Sequence, residues 1–281
     1  MSYFDLFKPV DSIDTLQLAE LLRHKHPEDL TLLDVRQPAE YAAGHLPGAK
    51  LIPLAVLEQR RAEINPRTTV VVYCAAGWRS RGAVALLKHC GFEQVFNLTG
   101  GLQAWQGRVA SGAPEVIWGP FALAAKPEEH VALAWLLEDG TGRFYRQVGK
   151  RLQDSAAVSL FQELAAAEDS HGETLKAVYA GLSGLPVQED FPLGILPPGS
   201  PAPGELMEGG MRVAEAADWA QGRPLHDILD LAIGLETNAL DRYLVLQRDL
   251  EDPNARRVFE VLADEERRHL RKLIQLFEHY L

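Results

Sequence analysis

The chain is poor in cysteine, in long apolar runs and in basic residues, and each shortage excludes a class of protein. Only two of its 281 residues are cysteines, Cys74 and Cys90, which excludes a disulfide scaffold and cysteine-pair zinc or dithiol motifs. No segment approaches the ~18 consecutive apolar residues of a membrane helix. The amino terminus also lacks the apolar core of a signal sequence. We therefore expect a cytoplasmic protein that does not bind membranes.

Acidic residues outnumber basic residues only in the second half of the chain. Residues 1–112 contain 12 Lys and Arg against 11 Asp and Glu, whereas residues 113–281 contain 16 against 28. Nucleic acids are bound through clustered Lys and Arg, so we expect no nucleic-acid partner. The acidic half is compatible with cation binding or with an ordinary solvated surface. The length predicts about two domains, and an apolar content of 47% is enough for packed cores.

Strands and helices alternate over residues 1–112, which predicts an α/β domain with a mostly parallel sheet. The predicted strands are the apolar runs at 30–35, 50–54, 68–73 and 94–98. The predicted helices lie at 12–25, at 38–41, in a segment ending near 64, at 81–89 and at 102–105. Ser12 or Asp14 could cap the first of them. Ligands of such sheets bind beyond the carboxyl ends of the strands, where both Asp34 and Cys74 lie.

A loop of mostly small residues follows the strand at 68–73. It reads Cys74, Ala75, Ala76, Gly77, Trp78, Arg79, Ser80. The backbone N–H groups of such a loop can converge on one atom, and the start of the next helix favours an anion there. Arg79 adds a positive charge, so the Cys74 thiol is expected to ionise readily and to act as a nucleophile. The alternative is a buried, inert cysteine, which the loop composition disfavours.

Several motifs of this half resemble those of rhodanese domains over residues 5–112. They are 33–41 (Leu-Asp-Val-Arg-Gln-Pro-Ala-Glu-Tyr), 44–49 (Gly-His-Leu-Pro-Gly-Ala), the Cys74 loop, 97–101 (Asn-Leu-Thr-Gly-Gly) and Trp105. The resemblance implies sulfur transfer. Cys74 would take a sulfane sulfur as a persulfide from a small donor, such as thiosulfate, and pass it to a thiol acceptor. The loop amides and Arg79 would hold the anionic donor. Phosphatase-like relatives have one more residue between Cys and Arg, so this spacing favours sulfur over phosphate or arsenate.

The remaining residues of the first half have supporting roles in this interpretation. We expect Trp78 to narrow the mouth of the site and Ser80 to cap the following helix. Asp34, Arg36 and Glu40 are expected to brace the site as ion pairs rather than to act in catalysis. Cys90 is expected to belong to the core.

The second half, residues 127–281, reads as helices and contains an internal repeat. Residues 98 positions apart correspond: Glu138 with Glu236, Tyr145 with Tyr243, Phe161 with Phe259, Glu168 with Glu266, and His171 with His269. The predicted helices lie at 127–153, 155–181 with Ser155 as its cap, 225–250, and from Pro253 onward. A linker is predicted at 113–126. A Pro- and Gly-rich crossover is predicted at 182–204, followed by a short helix within 205–221.

The repeat predicts a metal site inside a four-helix bundle. Residues i and i+3 share a helix face, so each Glu-x-x-His unit offers a carboxylate and an imidazole in one direction. A lone glutamate on a partner helix adds a carboxylate to each half. Four carboxylates and two imidazoles suit two iron or manganese ions. Buried without cations, these charges would be costly. A single Glu-x-x-His would usually be a surface pair, but the repetition disfavours that reading.

This half resembles the di-iron domain of rubrerythrins and other ferritin-like proteins over about residues 126–281. The resemblance implies six metal ligands: Glu138, Glu168, His171, Glu236, Glu266 and His269. Two iron ions are the expected cofactor, with manganese or zinc as alternatives, and a homodimer is expected because such bundles commonly pair. Tyr145 and Tyr243 would either hydrogen-bond the ligands or pack in the core. The chain lacks the four-cysteine rubredoxin-like domain of typical rubrerythrins, so an external electron donor is expected. It also has Ala239 where some members carry an extra glutamate.

The leading hypothesis combines sulfur transfer at Cys74 with a carboxylate-bridged di-iron centre that reacts with peroxide, dioxygen or ferrous iron. One alternative is an iron-oxidising or iron-binding protein with a sulfur-carrier domain. Another is a redox or metal sensor.

Overall fold

The computed structural model describes residues 10–25, 29–107, 109–112, 124 and 126–280. The chain forms two compact units, residues 1–114 and 115–281. Most of the predicted linker at 113–126 lies outside the described residues, so its limits stay a prediction. Within the described ranges, no helix has the length and apolar character that a bilayer crossing requires.

The first unit is built on a parallel sheet. Its strands are β1 (Ser12–Ile13), β2 (Leu30–Asp34), β3 (Lys50–Leu51), β4 (Thr69–Tyr73) and β5 (Val95–Leu98). They form one sheet in the order β1-β5-β4-β2-β3, and each pairing is parallel. The central strand β4 is buried at each position, as its run of β-branched residues requires. The predicted parallel α/β domain is therefore confirmed.

Short helices connect these strands. They are α1 (Thr15–His24), α2 (Pro38–Ala43), α3 (Leu57–Arg60), α4 (Trp78–His89) and α5 (Gly101–Ala104). The segment predicted as one helix ending near Ile64 is instead α3 flanked by two 3-10 turns, Leu54–Val56 and Arg61–Glu63.

The predicted start of the first helix at Ser12 is wrong. Ser12 and Ile13 pair with Asn97 and Leu98 of β5 as an edge strand. Helix α1 begins after Asp14, whose carboxylate accepts a hydrogen bond of 2.8 Å from the Gln17 N–H. The strand partner lies more than eighty residues away in sequence, so no local pattern reveals it.

The second unit is a bundle of four long helices, as predicted. They are α6 (Pro127–Gly149), α7 (Ser155–Ser183), α9 (Leu225–Asp249) and α10 (Pro253–His279). The connection between α7 and α9 contains a 3-10 turn, Glu208–Gly210, and the short helix α8, Val213–Trp219. Helix α6 packs on α7, α9 packs on α10, and α7 packs on α10. Asp154, rather than the predicted Ser155, caps α7 by accepting the Ala157 N–H at 2.8 Å.

The sequence repeat reappears as two matched aromatic contacts in the bundle core. The ring centroids of Tyr145 and Phe161 are 5.5 Å apart, and those of Tyr243 and Phe259 are 5.7 Å apart. All four side chains are fully buried. These contacts fix the relative position of the helices in each half, which aligns the carboxylates that the same helices carry.

Candidate catalytic cysteine and candidate metal centre

Cys74 lies in the loop between β4 and α4, at the carboxyl end of the central strand. Its side chain is buried, and its sulfur accepts a hydrogen bond of 3.1 Å from the Gly77 N–H. The start of α5 supports the loop from the other side, because the N–H groups of Leu102 and Gln103 donate to the carbonyls of Cys74 and Ala75. A Cβ at Gly101, where φ is +59°, would lie 2.3 Å from the Cys74 carbonyl oxygen. Only glycine permits this close approach.

The surroundings of Cys74 favour its thiolate. Burial raises the pKa of the thiol, but hydrogen bonds from the Ser80 hydroxyl and from the backbone N–H groups of Ser80, Ala76 and Gly77 outweigh burial. The pKa of Cys74 is therefore lowered from its usual value. A thiol in this loop is more nucleophilic at neutral pH than an ordinary buried cysteine.

Ser80 contacts the sulfur and does not cap α4, so the predicted capping role is wrong. Helix α4 has no side-chain cap hydrogen bond. The Ser80 hydroxyl lies 3.5 Å from the Cys74 sulfur and 2.6 Å from Asn97 Oδ1, so its single proton has two acceptors within reach. Asn97, at the end of β5, is a buried contributor that the sequence interpretation did not assign to the site. Its place in the Asn-Leu-Thr-Gly-Gly motif was the available signal.

Replacing Ser80 with alanine is expected to shift sulfur transfer to higher pH. The variant loses a donor to the thiolate, and a hydrogen bond to a charged group stabilises it by about 1.5 kcal/mol or more, so the pKa of Cys74 should rise by about one unit. The measurement is the pH profile of thiosulfate-dependent transfer. Ser80→Thr keeps the hydroxyl and should retain the wild-type profile. An unchanged profile in Ser80→Ala would show that the backbone amides alone hold the thiolate.

The charged residues around the loop form two separate ion pairs. Arg36 and Asp34 form a buried pair with their closest atoms 2.6 Å apart. Glu40 instead binds Arg79 through two hydrogen bonds of 2.7 and 2.6 Å, and both side chains are about a third exposed. Hydrogen bonding to Arg79 lowers the pKa of Glu40 to about 2. The three residues predicted to form one set of ion pairs therefore belong to two, and Glu40 pairs with Arg79 rather than with Arg36.

The two remaining candidate residues of the first half, Trp78 and Cys90, differ in exposure. The Trp78 side chain is 70% exposed, with the Arg81 guanidinium 5.8 Å from its ring centroid. Cys90 ends α4 and packs half-buried against the core of the domain.

The six predicted metal ligands lie together inside the bundle. Glu138 is on α6, Glu168 and His171 are on α7, Glu236 is on α9, and Glu266 and His269 are on α10. All six are buried. The ligand atoms of Glu138, Glu168 and His171 lie within 4.8 Å of one another, as do those of Glu168, Glu236 and His269. The two imidazole rings stack with centroids 5.5 Å apart. Glu168 belongs to both groups, as a carboxylate shared by two ions would.

Hydrogen bonding within this cluster leaves acceptors without donors. Glu138 Oε1 and Glu266 Oε1 are buried and have no hydrogen-bond partner within the described part of the chain. Such atoms are costly to bury, and a cation would satisfy them. The donor set of carboxylates and imidazoles suits iron, manganese or zinc. The residues present therefore fit divalent metal ions.

Crowding of the carboxylates shifts their proton affinities in opposite directions. Burial and the charge of Glu138 raise the pKa of Glu168 well above its usual value, and burial and Glu236 do the same for Glu266. Burial also acts on Glu236, but hydrogen bonds from Glu266, His269 and Tyr145 lower its pKa to about 2. Without cations, the cluster therefore favours the protonated forms of Glu168 and Glu266.

The two repeat-related tyrosines differ in their contacts. The Tyr145 hydroxyl donates to Glu236 Oε1, across the bundle from its own helix. The Tyr243 hydroxyl has no hydrogen-bond partner among the described residues, although its ring is packed against Phe259. Of these two tyrosines, therefore, Tyr145 alone hydrogen-bonds a candidate ligand among the described residues.

Glu265 is a contact of the centre that the sequence interpretation missed. Its carboxylate lies 2.6 Å from His171 Nε2, while His171 Nδ1 faces Glu138, Glu168 and Glu266 at 3.3 to 3.5 Å. Hydrogen bonding to His171 lowers the pKa of Glu265 to about 2. A carboxylate on the far nitrogen orients a histidine ligand and makes it more basic. The corresponding residue of the other half, 98 positions earlier, is Ala167, so the two imidazoles are not equivalent.

Comparison with known proteins finds a family match in each half of the chain. A rhodanese-like domain model matches residues 17–108, and a rubrerythrin model matches residues 227–280, which span α9 and α10. A sulfurtransferase of Allochromatium vinosum is 41% identical over 96 residues, which are 34% of this chain and 88% of that protein. The thiosulfate sulfurtransferase GlpE of Pseudoalteromonas translucida is 32% identical over 100 residues, 36% of this chain and 90% of that protein. The crystal structure of a rhodanese-like domain protein from Staphylococcus aureus also matches, with 31% sequence identity. The match covers 37% of this chain and all of that chain, with a TM-score of 0.34.

These features define a two-domain protein with a sulfurtransferase-type α/β domain and a ferritin-like helical domain. The chain belongs to the rhodanese family and carries a rubrerythrin domain in its second half.

Proposed function

We propose that the protein transfers sulfane sulfur through a persulfide on Cys74 and holds a dinuclear metal centre of the rubrerythrin type in its bundle. The observation that carries the first part is the buried Cys74 sulfur, which accepts hydrogen bonds from the loop and has a lowered pKa. The sulfurtransferase relatives support the same reaction class.

The first half-reaction loads the cysteine. With thiosulfate as the donor, the Cys74 thiolate attacks the outer sulfur, and a new S–S bond forms at Cys74. The S–S bond of the donor breaks, and its electron pair leaves with sulfite. One thiolate and one thiosulfate dianion become one persulfide anion and one sulfite dianion, so charge and atoms balance. The loop N–H groups that stabilise the thiolate also lie beside the position of the persulfide.

The second half-reaction unloads the cysteine. An acceptor thiolate attacks the outer sulfur of the persulfide, the S–S bond to Cys74 breaks, and the Cys74 thiolate leaves with the electron pair. Low basicity makes a thiolate a better leaving group. The hydrogen bonds from Gly77 and Ser80 therefore assist both half-reactions.

In the bundle, the six buried carboxylate and imidazole groups would hold two divalent ions, with iron as the proposed metal. Bound iron would supply redox chemistry toward peroxide or dioxygen, either of which would also be the oxidant for any further ferrous iron. The Glu265 carboxylate lies 2.6 Å from the outer nitrogen of His171, and the Tyr145 hydroxyl donates a hydrogen bond to Glu236. These two residues fix the orientation of one imidazole and one carboxylate.

The direct test of the first part mixes the full-length protein with thiosulfate and measures sulfite release and the mass of the protein. Addition of one sulfur atom at Cys74, followed by its loss to an added thiol, is the expected result. Sulfite release without a sulfur-loaded protein would contradict the persulfide pathway.

Changing Glu40 to glutamine is expected to improve thiosulfate binding. Glu40 neutralises Arg79, so its removal leaves that positive charge free for a dianionic donor. Because the pair is about a third exposed, we expect a gain of about 0.5–1 kcal/mol, or roughly a two- to fivefold lower KM at low ionic strength. The measurement is the KM for thiosulfate against salt concentration. Glu63→Gln, which removes the exposed partner of Arg60, is the matched control. A raised KM would show that Glu40 mainly positions Arg79.

A further inference from the structure

The connection between α7 and α9 carries a buried glutamate, Glu208, whose side chain is 1% exposed. Residues 205–213 fold back on themselves as a hairpin. Leu206 pairs with Arg212 in an antiparallel bridge, the Met207 N–H donates to the Met211 carbonyl at 2.9 Å, and the Val213 N–H donates to the Glu205 carbonyl at 3.0 Å. These bonds make the hairpin a defined element that presents Glu208 at its turn.

The hairpin is seated directly on α6, beside the candidate ligand Glu138. A Cβ at Gly140 would lie 1.9 Å from the Leu206 carbonyl oxygen, so the backbone of the hairpin fills the space that a side chain there would occupy. The Glu208 N–H donates to Thr141 Oγ1 at 3.1 Å. Both α6 residues follow Glu138 within one helical turn. The position of Glu208 is therefore fixed against the helix that carries Glu138.

The Glu208 side chain also reaches α9, which carries the candidate ligand Glu236. One carboxylate oxygen forms an ion pair with the buried Arg242. The other, Oε1, has no hydrogen-bond partner within the described ranges. Burial raises the pKa of Glu208 to about 7; Arg242 opposes this shift, and the negative charges of Glu138 and Glu236 add to it. The negative charges of Glu138 and Glu236, the lone glutamates of the two halves, therefore both act on the Glu208 carboxylate.

A buried carboxylate oxygen without a donor is costly, and here it belongs to a residue held against the helix that carries Glu138 and paired with the helix that carries Glu236. On α9 itself, the position one turn beyond Glu236 is the small, buried Ala239, which offers no oxygen. We propose that Glu208 is a further carboxylate ligand of the metal centre, supplied by the connection between α7 and α9 rather than by the four helices. This assignment rests on the proposed metal centre.

The competing explanation is that Glu208 only neutralises Arg242. In that case, losing the Glu208 charge leaves Arg242 buried without its partner and destabilises the fold. Metal binding to the folded protein would then be unaffected. The two explanations therefore differ in metal affinity and in metal coordination, not in stability.

The test titrates the metal-free, full-length protein anaerobically with Fe(II), and separately with Co(II), in the wild type and in Glu208→Gln. We expect Glu208→Gln to bind one of its two ions at least about tenfold more weakly. The visible absorption of bound Co(II) should become more intense, because cobalt absorbs more strongly as its coordination number falls. Glu205→Gln is the matched control, since Glu205 lies on the same hairpin and pairs with Arg212 but is partly exposed. It should match the wild type in both measurements.

Unchanged Fe(II) affinity and an unchanged Co(II) spectrum in Glu208→Gln would overturn the assignment while leaving the two-ion centre in place. A wild type that binds neither metal would overturn the centre and the assignment together. If Glu208→Gln does not fold, Glu208→Asp decides the question. It keeps the charge opposite Arg242 but withdraws the carboxylate by one methylene, so weaker Fe(II) binding supports the assignment and wild-type binding overturns it.

Discussion

Replacing Cys74 with serine is expected to reduce sulfur transfer by roughly a thousandfold or more, as the loss of a covalent nucleophile does in other enzymes. A serine hydroxyl stays protonated at neutral pH and cannot form a persulfide, whereas the loop hydrogen bonds lower the pKa of Cys74 and so favour its thiolate. The measurement is sulfite release from thiosulfate in the presence of a thiol acceptor. Mass spectrometry of the intact chain should at the same time show no sulfur-loaded species.

The other cysteine provides the control for this experiment. Cys90 packs half-buried against the domain core, away from the loop hydrogen bonds that surround Cys74. Cys90→Ser should therefore keep near wild-type transfer and still carry one added sulfur atom. If Cys90→Ser loses transfer while Cys74→Ser keeps it, the assignment of the nucleophile is wrong.

Changing Glu168 and Glu266 together to glutamine is expected to abolish loading of the two ions. Glu168 belongs to both groups of closely spaced ligand atoms, and Glu266 contacts both imidazoles at 3.3 to 3.4 Å. Each change removes a charge and a ligand oxygen, so the affinity should fall by at least about a hundredfold. The measurement is metal content per chain after anaerobic loading with iron. Glu173→Gln with Glu278→Gln, on exposed positions of the same two helices, is the control pair.

The same double variant should alter how the stability of the metal-free protein depends on pH. Folding raises the pKa values of Glu168 and Glu266, so the folded chain binds more protons than the unfolded chain above about pH 4.5. Below that pH, these two groups make their full contribution to the free energy of unfolding. Between about pH 4.5 and their folded pKa values, the free energy of unfolding falls as the pH rises. Glutamine does not titrate, so the variant should lose this fall.

Metal loading should reverse the trend in the wild type. Divalent ions displace the protons on Glu168 and Glu266, so metal binding releases protons and strengthens as pH rises. Unfolding of the helical domain, followed by circular dichroism between about pH 5 and 8, gives the comparison. A metal-free wild type that gains stability with pH across this window would contradict the proton-holding cluster. Little metal in the loaded wild type would reduce the proposal to sulfur transfer at Cys74.

Short-range patterns in the sequence determine much of the secondary structure and much of the candidate ligand set. The Thr-Val-Val-Val-Tyr run of β4, followed by a loop of small residues, is sufficient to predict a strand that delivers Cys74 to a helix start, because strand and loop preferences are local. Likewise, the Glu-x-x-His spacing places Glu168 and His171 on one face of α7, because helix geometry is periodic. The 98-residue repeat then predicts the second half of the ligand set.

The tertiary structure alone decided the contacts between residues that are distant in sequence. Ser12 reads as part of a helix until β5 provides a backbone partner, and Ser80 reads as a cap until Asn97 is brought within 2.6 Å of its hydroxyl. Glu208 lies in an irregular connection, where no periodicity marks a buried face, and only the absence of a Cβ at Gly140 lets it approach the cluster. Local preferences follow from the chemistry of neighbouring residues, whereas these contacts depend on how whole elements pack.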